Sequence, residues 1–411
     1  MGNFSIALSG LHADSVALNT IGNNLANLNT TAYKGQTTSF EDLFYQQIGQ
    51  SGSGDAIQVG AGTKVSGTST DFTEGTILPD SNANSADMAL AGNGFFVVQQ
   101  GGVQSLTRAG NFQLNSNGAL ITQEGQQVMG YAAVNGVVNQ NSSLTPITIP
   151  VGLNEGAQAT QNFSLTTNLN SGATVGTSFS SPVAMFDSLG QSHQATVSYT
   201  KTATNTWSYS VALPAGDATG VPSNNTGTLT FDSSGNLVSP VGSVNNITFP
   251  TLADGASDLN FNWNLNNVSG KPTISQLASA SSNTNSVQDG FTSGVFQSFT
   301  ADSSGVLTAQ FSNGRTSVIG QIAVATVANT AGLTASGNNN FSTTAASGLA
   351  TVGVAGAGGR GQLDDAALEQ SNVNISTEFS NLIVTQRAFE ANSKTVTTFD
   401  TISQDVLAMV R

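Results

Sequence analysis

The residues that could carry out chemistry are few and far apart in this sequence. It contains two histidines, His12 and His193, and no cysteine. His12 follows Leu11 in a segment with helical periodicity and is interpreted as a packing or polar-face residue, whereas His193 follows the turn "DSLGQ" and is interpreted as a surface strand residue. Neither histidine has a cysteine or carboxylate cluster at metal-ligand spacing along the chain. The sequence therefore predicts no metal site.

Three other segments have the composition of ligand-binding loops. The Asp-Ser-Ser-Gly segments at 232 and 302 begin like calcium loops but lack alternating acidic ligands and a terminal glutamate, so hairpin turns are favoured. The glycine-rich "GVAGAGGRG" at 353 has no Gly-Lys-Ser/Thr ending, which favours a linker over a phosphate-binding loop. No Gly-x-Ser-x-Gly motif occurs. The sequence predicts no enzyme, no catalytic residue and no cofactor.

The composition indicates a folded protein with neutral surfaces. Of the 411 residues only 8% are charged, against roughly 25% in typical soluble domains, and the formal net charge is -14. The ten Lys and Arg residues lie singly, so we expect neither nucleic acid nor an anionic membrane as a partner. No apolar run has the length of a membrane span. The start, "MGNFSIALSG", lacks a basic n-region, so any export would not use a cleaved signal peptide.

Both ends of the chain have the periodicity of helices that pack side by side. Apolar residues recur every seven positions in each end, a spacing typical of coiled coils. Asn374 and Ser376 are candidate N-caps, with Glu378 in the first turn. The predicted assembly residues of the N-terminal helix are Phe4, Leu11, Leu18, Ile21, Leu25 and Leu28. Those of the C-terminal helix are Ile375, Phe379, Leu382, Phe389, Val396, Phe399 and Val406.

The N-terminal helix has a polar face without charge. No Lys, Arg, Asp or Glu occurs from Ser15 to Tyr33, and the polar positions include several asparagines. An intramolecular antiparallel helix pair explains the heptads but leaves an uncharged outer face unexplained. A tube of many copies, in which neutral amides face a narrow wet lumen, explains both features. Because such helices are marginal alone in water, we expect both ends to be loose in the monomer and to order on assembly.

Between the ends, the sequence changes to β-structure. Short runs rich in Val, Ile, Thr and Phe alternate with turn signals. We therefore predict a multidomain fold that is discontinuous and nested: a terminal α-helical coiled-coil region plus mainly-β middle and inserted outer domains. The predicted parts are a helical inner-tube domain (1–30 with 371–411), a connecting segment (31–70 with 361–370), a β-rich middle domain (71–145 with 285–360) and an inserted outer β-domain (146–284).

Three long motifs resemble those of the bacterial flagellar rod and hook family of axial proteins. They are "SGLHADSVALNTIGNNLANLNTTAYKG" (9–35), "SNVNISTEFSNLIVTQRAFEANSKTV" (371–396), and "AGNGFFVV" (91–98) with "LTRAGNFQLNSNGAL" (106–120). The motif residues of the N-terminal signature are Asn23, Asn24, Asn27, Asn29, Tyr33 and Lys34. The segment 289–325, the chain length and the inserted region resemble the hook branch more than the shorter distal rod branch.

The resemblance implies a subunit that assembles with many copies of itself into the hook, the curved tube that joins motor rod to filament. It implies a flexible universal joint that transmits torque, with terminal helices lining the inner tube. The implied partners are the distal rod, the hook cap, the hook–filament junction proteins and the flagellar type III export apparatus. The implied location is extracellular, in the flagellum.

Two other functions remain open from the sequence. One is a distal rod subunit of the same family. The other is an extracellular β-rich adhesin or carbohydrate-binding protein, in which Trp207, Tyr209 and Trp263 would stack on sugars. Core aromatics in short strands are the favoured interpretation of those three residues. The terminal heptads discriminate between the classes, because an adhesin or an enzyme has no need for them.

Overall fold

The computed structural model describes residues 2–53, 55–80, 84–152 and 154–409. It has a helix at each end and a mainly β middle, which confirms the predicted fold class. Helix α1 spans Gly2–Ala26, helix α2 spans Ile375–Met409, and a short 3-10 helix spans Thr330–Gly332. Within the described ranges, no helix is long and apolar enough to cross a membrane.

The strands are short and follow one another closely. The first group is β1 Gln36–Asp42, β2 Tyr45–Gln50, β3 Ala56–Gly60, β4 Thr63–Thr70, β5 Ile77–Pro79, β6 Met88–Ala91, β7 Phe95–Gln100, β8 Val103–Thr107, β9 Gln113–Leu114, β10 Leu120–Ile121, β11 Gln127–Val134, β12 Val137–Val138 and β13 Thr145–Pro146. The second group is β14 Asn154–Glu155, β15 Asn162–Asn170, β16 Ser178–Phe186, β17 Ser192–Ala203, β18 Thr206–Ala212, β19 Thr226–Phe231, β20 Leu237–Ser239, β21 Ser243–Phe249, β22 Leu259–Asn264, β23 Ile274–Leu277 and β24 Ser282–Gln288. The third group is β25 Gly294–Ala301, β26 Val306–Phe311, β27 Thr316–Thr326, β28 Thr334–Gly337, β29 Asn340–Ser342, β30 Thr351–Val354, β31 Gln362–Asp365 and β32 Ala367–Glu369.

The chain divides into two compact units. The helical unit lies within residues 1–151, 298–309 and 317–411, and the sandwich unit within 152–297 and 310–316. In the helical unit, strands β27, β11, β7, β8, β29 and β28 are neighbours in one sheet. Phe72 packs edge-on against Phe95 and Phe341, with ring centroids 5.6 and 5.0 Å apart, and closes the core of that sheet. The pairs β1–β4, β2–β3, β6–β31 and β5–β32 complete the unit.

The sandwich unit is built from two sheets that share one core. One sheet has the order β16-β17-β18-β19-β20, and the other has β21-β22-β15-β23 with β24 also paired to β15. Strand β17 alternates buried and outward residues along its length, as expected for a sheet with one covered face. Asp232 closes the β19–β20 turn, where its Oδ1 accepts from the backbone N of Ser234 and of Asn236, both at 2.8 Å. The hairpin interpretation of this Asp-Ser-Ser-Gly segment is confirmed.

The aromatic side chains of the sandwich unit lie in its core. Trp207 and Trp263 are fully buried and Tyr209 is almost so. Trp263 stacks on Phe163 with centroids 5.7 Å apart, and the Trp207 Nε1 donates to Gln276 Oε1 at 2.9 Å. Sugar stacking by these three aromatics is therefore wrong, because a saccharide cannot reach side chains that fill the space between two sheets.

Candidate functional site

The two terminal helices pack against each other within one chain. Asn392 Nδ2 of α2 donates to Asp14 Oδ2 of α1 at 2.9 Å, and Asn24 Nδ2 donates to Glu378 Oε1 at 3.2 Å, so the helices run antiparallel. A Cβ on Gly10 would lie 2.7 Å from the Asn392 Nδ2, which explains a glycine at this close approach. The structure thus forms the intramolecular helix pair that the sequence left open.

The buried face of α1, which packs against α2 and against strands β1 and β4, is built mainly from small residues. Its buried apolar side chains are Ala7, Ala13, Ala17 and Ile21. Of the predicted assembly residues on α1, Ile21 is buried and Phe4 is exposed. Leu11, Leu18 and Leu25 are half-buried, and so is Leu28, which was predicted to lie on this helix but lies in the turn after α1 ends at Ala26. Most of the predicted apolar residues therefore keep solvent-exposed surface that a neighbouring subunit could cover.

Helix α2 is less covered than α1. Within its described residues no side chain is buried. Among the predicted assembly residues, the half-buried ones are Leu382, Val396 and Phe399, and the exposed ones are Ile375, Phe379, Phe389 and Val406. Helix α2 has 35 residues and α1 has 25, so α2 is longer by 10 residues, about 15 Å. Leu407 and Met409 near its end are 70% and 79% exposed.

Helix α2 begins at a side-chain cap. The Asn374 Oδ1 accepts from the backbone N of Ser376 at 3.0 Å and of Thr377 at 3.1 Å, which confirms Asn374 as the N-cap. Ser376 lies inside the first turn and is not the cap. Glu378 lies in that turn, where the helix dipole favours an acidic residue.

The asparagines at the end of α1 form an amide junction with the segment that follows the helix. Asn24 is buried, and its Nδ2 donates to the Gln36 backbone O at 2.7 Å while its Oδ1 accepts from the Gln36 backbone N at 2.9 Å. The Tyr33 hydroxyl also donates to Asn24 Oδ1, at 3.3 Å. A primary amide is both donor and acceptor, so one side chain satisfies both backbone groups of Gln36.

The neighbouring motif residues extend this junction. Asn23 Nδ2 donates to the Tyr33 hydroxyl at 3.0 Å, and Asn27 Nδ2 donates to the Asn23 backbone O at 2.9 Å. Asn29 is exposed. The expectation that these amides line a wet lumen is wrong for Asn24. Its side chain is buried, and its amide is hydrogen-bonded to the backbone of Gln36, where the chain reverses after α1.

Lys34 belongs to a buried ion triad with Glu369 and Arg108, neither of which was a predicted site residue. Its Nζ lies 2.6 Å from Glu369 Oε1 and also donates to the Thr73 backbone O at 2.7 Å. The Arg108 Nε donates to the second oxygen, Glu369 Oε2, at 2.9 Å. The guanidinium of Arg108 also donates to the backbone O of Leu90, Gly92 and Gly94. One carboxylate thus joins the N-terminal, middle and C-terminal segments.

The electrostatics of the triad favour a charged glutamate. Burial disfavours the carboxylate form, but the charges and hydrogen bonds of Arg108 and Lys34 outweigh it and hold the pKa of Glu369 below its ordinary value. The Gly75 backbone N donates to the same carboxylate at 2.9 Å. The only sequence signal for this site is that Lys34 and Arg108 lie in the quoted motifs, in "AYKG" and "LTRAG".

A second cluster, in the sandwich unit, was not expected. His193 is 5% exposed, and its ring nitrogens face Asp187 and Asp217 at 3.1 and 3.0 Å. The interpretation of His193 as a surface strand residue is therefore wrong. The ligand atoms of Asp187, His193 and Asp254 lie within 4.8 Å of one another, although no metal-ligand spacing marks these residues along the chain. Folding brings together loops that are distant along the chain.

Four flagellar family models match successive parts of the chain. "Flagella basal body rod protein" matches residues 4–34, and "Flagellar hook protein FlgE/F/G D1 domain" matches residues 89–168. "Flagellar basal body protein FlaE D2 domain" matches residues 170–291, and "Flagellar basal body rod FlgEFG protein C-terminal" matches residues 365–409. The first and last of these matches fall on the two terminal signatures.

The chain is similar over nearly its whole length to several flagellar hook proteins. It is 35% identical to "Flagellar hook protein FlgE" of Salmonella typhimurium, over 97% of this chain and 98% of that protein. It is 30% identical to the protein of the same name from Treponema pallidum, over 98% of each. The crystal structure of Helicobacter pylori flagellar hook protein FlgE2 shares the fold, with a TM-score of 0.55, 15% identity and coverage of 71% of this chain and 100% of that chain. The chain therefore belongs to the flagellar hook protein family.

Proposed function

We propose that this chain is the self-assembling structural subunit of a bacterial flagellar hook. The observation that carries the proposal is 35% identity to a flagellar hook protein across 97% of this chain and 98% of the relative. A distal rod subunit is not favoured, because the similarity to hook proteins includes the region 146–284. An adhesin is not favoured, because its stacking aromatics are buried.

The terminal helices are the proposed assembly surface. The segments 1–30 and 371–411 form the inner tube, 31–70 with 361–370 connect, and 71–145 with 285–360 and the inserted 146–284 form the outer layers. Support comes from α2, which leaves Ile375, Phe379 and Val406 about half exposed in the single chain. Apolar rows of this size on a long helix favour helix-to-helix packing between subunits. The heptad residues predicted above are the contact residues of this proposal.

The hook would act as a flexible universal joint that transmits torque from motor rod to filament. Neighbouring subunits must slide past one another as such a tube bends and turns. A chain in which only 8% of the residues are charged supports this role, because few ion pairs have to break at each displacement. The chain is not an enzyme in this proposal, and it needs no cofactor.

The proposed partners follow from the place of a hook in the flagellum. They are other copies of this chain, the distal rod, the hook cap, the hook–filament junction proteins and the flagellar export apparatus. The proposed location is extracellular. Neither membrane insertion nor nucleic acid binding is part of the proposal, consistent with a net charge of -14.

Amide hydrogen exchange on the full-length protein tests this function. The monomer is compared with the product of salt-induced polymerisation. We expect fast exchange before about residue 30 and after about residue 370 in the monomer and strong protection in the polymer, because packing between subunits must stabilise marginal helices. Full protection of both ends in a monomer that never polymerises would contradict the proposal.

A further inference from the structure

The cluster around His193 has the arrangement of a metal centre. The His193 Nε2 lies 3.1 Å from Asp187 Oδ2 and 3.5 Å from Asp254 Oδ2. Ligand atoms about 2.0 to 2.2 Å from a tetrahedral Zn²⁺ are separated from each other by about 3.3 to 3.6 Å. The two distances from Nε2 bracket the lower end of that range, and all three ligand atoms lie within 4.8 Å of one another, which places them close enough to share one ion. We propose that Asp187, His193 and Asp254 bind a divalent transition-metal ion of the Zn²⁺ type.

The groups behind the three ligands hold them in place. The other ring nitrogen, His193 Nδ1, lies 3.0 Å from Asp217 Oδ2, which is the carboxylate–histidine–metal pattern that fixes the ring and directs Nε2 at the ion. The second oxygen of Asp187 accepts from the backbone N of Leu189 at 2.8 Å and of Gln191 at 2.9 Å. That arrangement leaves Asp187 Oδ2 directed at the cluster.

Charge also favours a cation here. Within the described part of the chain, the ion pairs of Asp187, Asp217 and Asp254 are all with His193. Even a protonated imidazole leaves three carboxylates facing one positive charge. Asp187 has no exposed side-chain surface, and a buried carboxylate is stable only when it is paired or coordinates a metal. A divalent ion between Asp187 and Asp254 would supply the missing positive charge.

The donor set selects the class of ion. One imidazole nitrogen with two carboxylate oxygens suits Zn²⁺, Co²⁺ or Ni²⁺, whereas Ca²⁺ and Mg²⁺ take oxygen ligands in larger number. Asp254 has 29% of its side-chain surface exposed, so an ion can enter from solvent and keep water as a further ligand. The chain contains one other histidine, His12, and no cysteine, so few other ligand sets compete.

The ligands come from both sheets of the sandwich unit. Asp187 and His193 flank the turn between β16 and β17 in one sheet, and Asp254 lies between β21 and β22 of the other. Two hydrogen bonds already join the Asp254 loop to the other sheet: Ala253 N donates to the backbone O of Asp217, between β18 and β19, at 2.9 Å, and Ser257 N donates to Ser188 Oγ, between β16 and β17, at 3.0 Å. A bound ion would cross-link the two sheets and raise the melting temperature of this unit.

Metal titration of the full-length monomer, after dialysis against EDTA and then buffer, tests the proposal. Co²⁺ absorbance and Zn²⁺ calorimetry should each give one site per chain, and Zn²⁺ should raise the temperature of the tryptophan fluorescence transition. Asp254→Asn and His193→Gln should each weaken Zn²⁺ binding at least about tenfold, and Asp217→Asn should weaken it about 10- to 100-fold. His12→Gln, the matched control at the exposed histidine of α1, should bind as wild type.

The outcomes distinguish a metal-binding site from a cluster in which a protonated His193 only forms ion pairs with the three aspartates. Wild-type protein that takes up no Zn²⁺ or Co²⁺ at millimolar concentration would overturn the proposal. Binding that is unchanged in both Asp254→Asn and His193→Gln would also overturn it, since the ion would then sit elsewhere. The Asp254 variant keeps the test decisive if His193→Gln fails to fold, because Asp254 is an exposed loop residue. Polymerisation into tubes is a separate measurement, so failure of the assembly proposal would not be mistaken for failure here.

Discussion

Replacement of Glu369 by glutamine should loosen the helical unit and leave the sandwich unit unchanged. Glu369→Gln keeps the shape of the side chain but leaves Lys34 and Arg108 buried without their counter-charge. Removal of one partner from a buried ion pair costs about 3–5 kcal/mol. Because whole domains are stable by only about 5–15 kcal/mol, this is a large part of the stability of the unit.

Hydrogen exchange resolved by peptide is the assay, because the two units need separate probes. The amide of Ala32 donates to the Glu369 backbone O at 2.8 Å and reports on the helical unit. A loss of about 3–5 kcal/mol corresponds to exchange that is faster by about two to nearly four orders of magnitude, if opening of the unit governs exchange there. Both tryptophans, Trp207 and Trp263, lie in the sandwich unit, so an unchanged fluorescence transition in urea is the internal control.

The same variant tests the sign of the pH dependence. The pKa of Glu369 is lower in the folded chain than its ordinary value of 4.5, so its charge stabilises the fold above about pH 4.5, and this stabilisation is lost as the pH falls through the lower folded pKa. Glu369→Gln should remove that part of the acid sensitivity of the helical unit. Glu390→Gln, which breaks the exposed pair with Arg387, is the matched control and should behave as wild type. An equal response of the two variants in exchange rate and pH profile would refute the reasoning.

Three further predictions concern other parts of the chain. Asn24→Leu should destabilise the end of α1 by about 1–3 kcal/mol, measured as faster exchange at the Gln36 amide, because both backbone groups of Gln36 lose their partner; unchanged protection would contradict this. Leu407→Asp should abolish polymerisation while Leu407→Met retains it, with equal helix content by circular dichroism in both monomers, because Leu407 is 70% exposed in the single chain. Trp207→Phe should lower the unfolding free energy of the sandwich unit in urea by about 1–3 kcal/mol, because Gln276 Oε1 loses its buried donor.

Local chemistry made the ends of the chain predictable. The predicted helical ends, 1–30 and 371–411, contain helices at Gly2–Ala26 and Ile375–Met409, and Asn374 caps the second helix as its side-chain chemistry indicated. The turn at Asp232 also depends on residues within four positions of each other. Caps, heptads and tight turns are short-range features, so their signals are present in a single sequence.

Side-chain clusters whose members are far apart along the chain have no comparable signal in the sequence. Glu369 is 335 residues from Lys34 and 261 from Arg108, so their charges could not be paired before the fold was known. For His193 the nearest partner, Asp187, is only six residues away, but Asp217 is 24 residues away and Asp254 lies in another loop, so the burial of this histidine depends on the tertiary fold. Sequence reasoning assigns a polar residue to solvent by default, and only the tertiary partners reverse that assignment.

Two explanations apply to the uncharged face of α1, namely the amide junction and the proposed assembly, and a substitution at Asn19 distinguishes between them. At Asn23, Asn24 and Asn27 the amides are used by the junction, where a carboxylate or an ammonium could not both donate and accept. Asn19, however, is exposed in the helix pair and equally uncharged, although a solvated position would tolerate any charge.

The proposed tube explains Asn19, because a neighbouring helix would cover it there. Asn19→Lys should therefore leave the exchange of the monomer unchanged and block or weaken polymerisation at least about tenfold, since an unpaired charge would be buried between subunits. Asn19→Ser, which stays neutral, should assemble as wild type, and electron microscopy with sedimentation would measure both. If Asn19→Lys forms tubes as readily as wild type, this face stays in water, and the lack of charge on α1 beyond the junction is not a consequence of assembly.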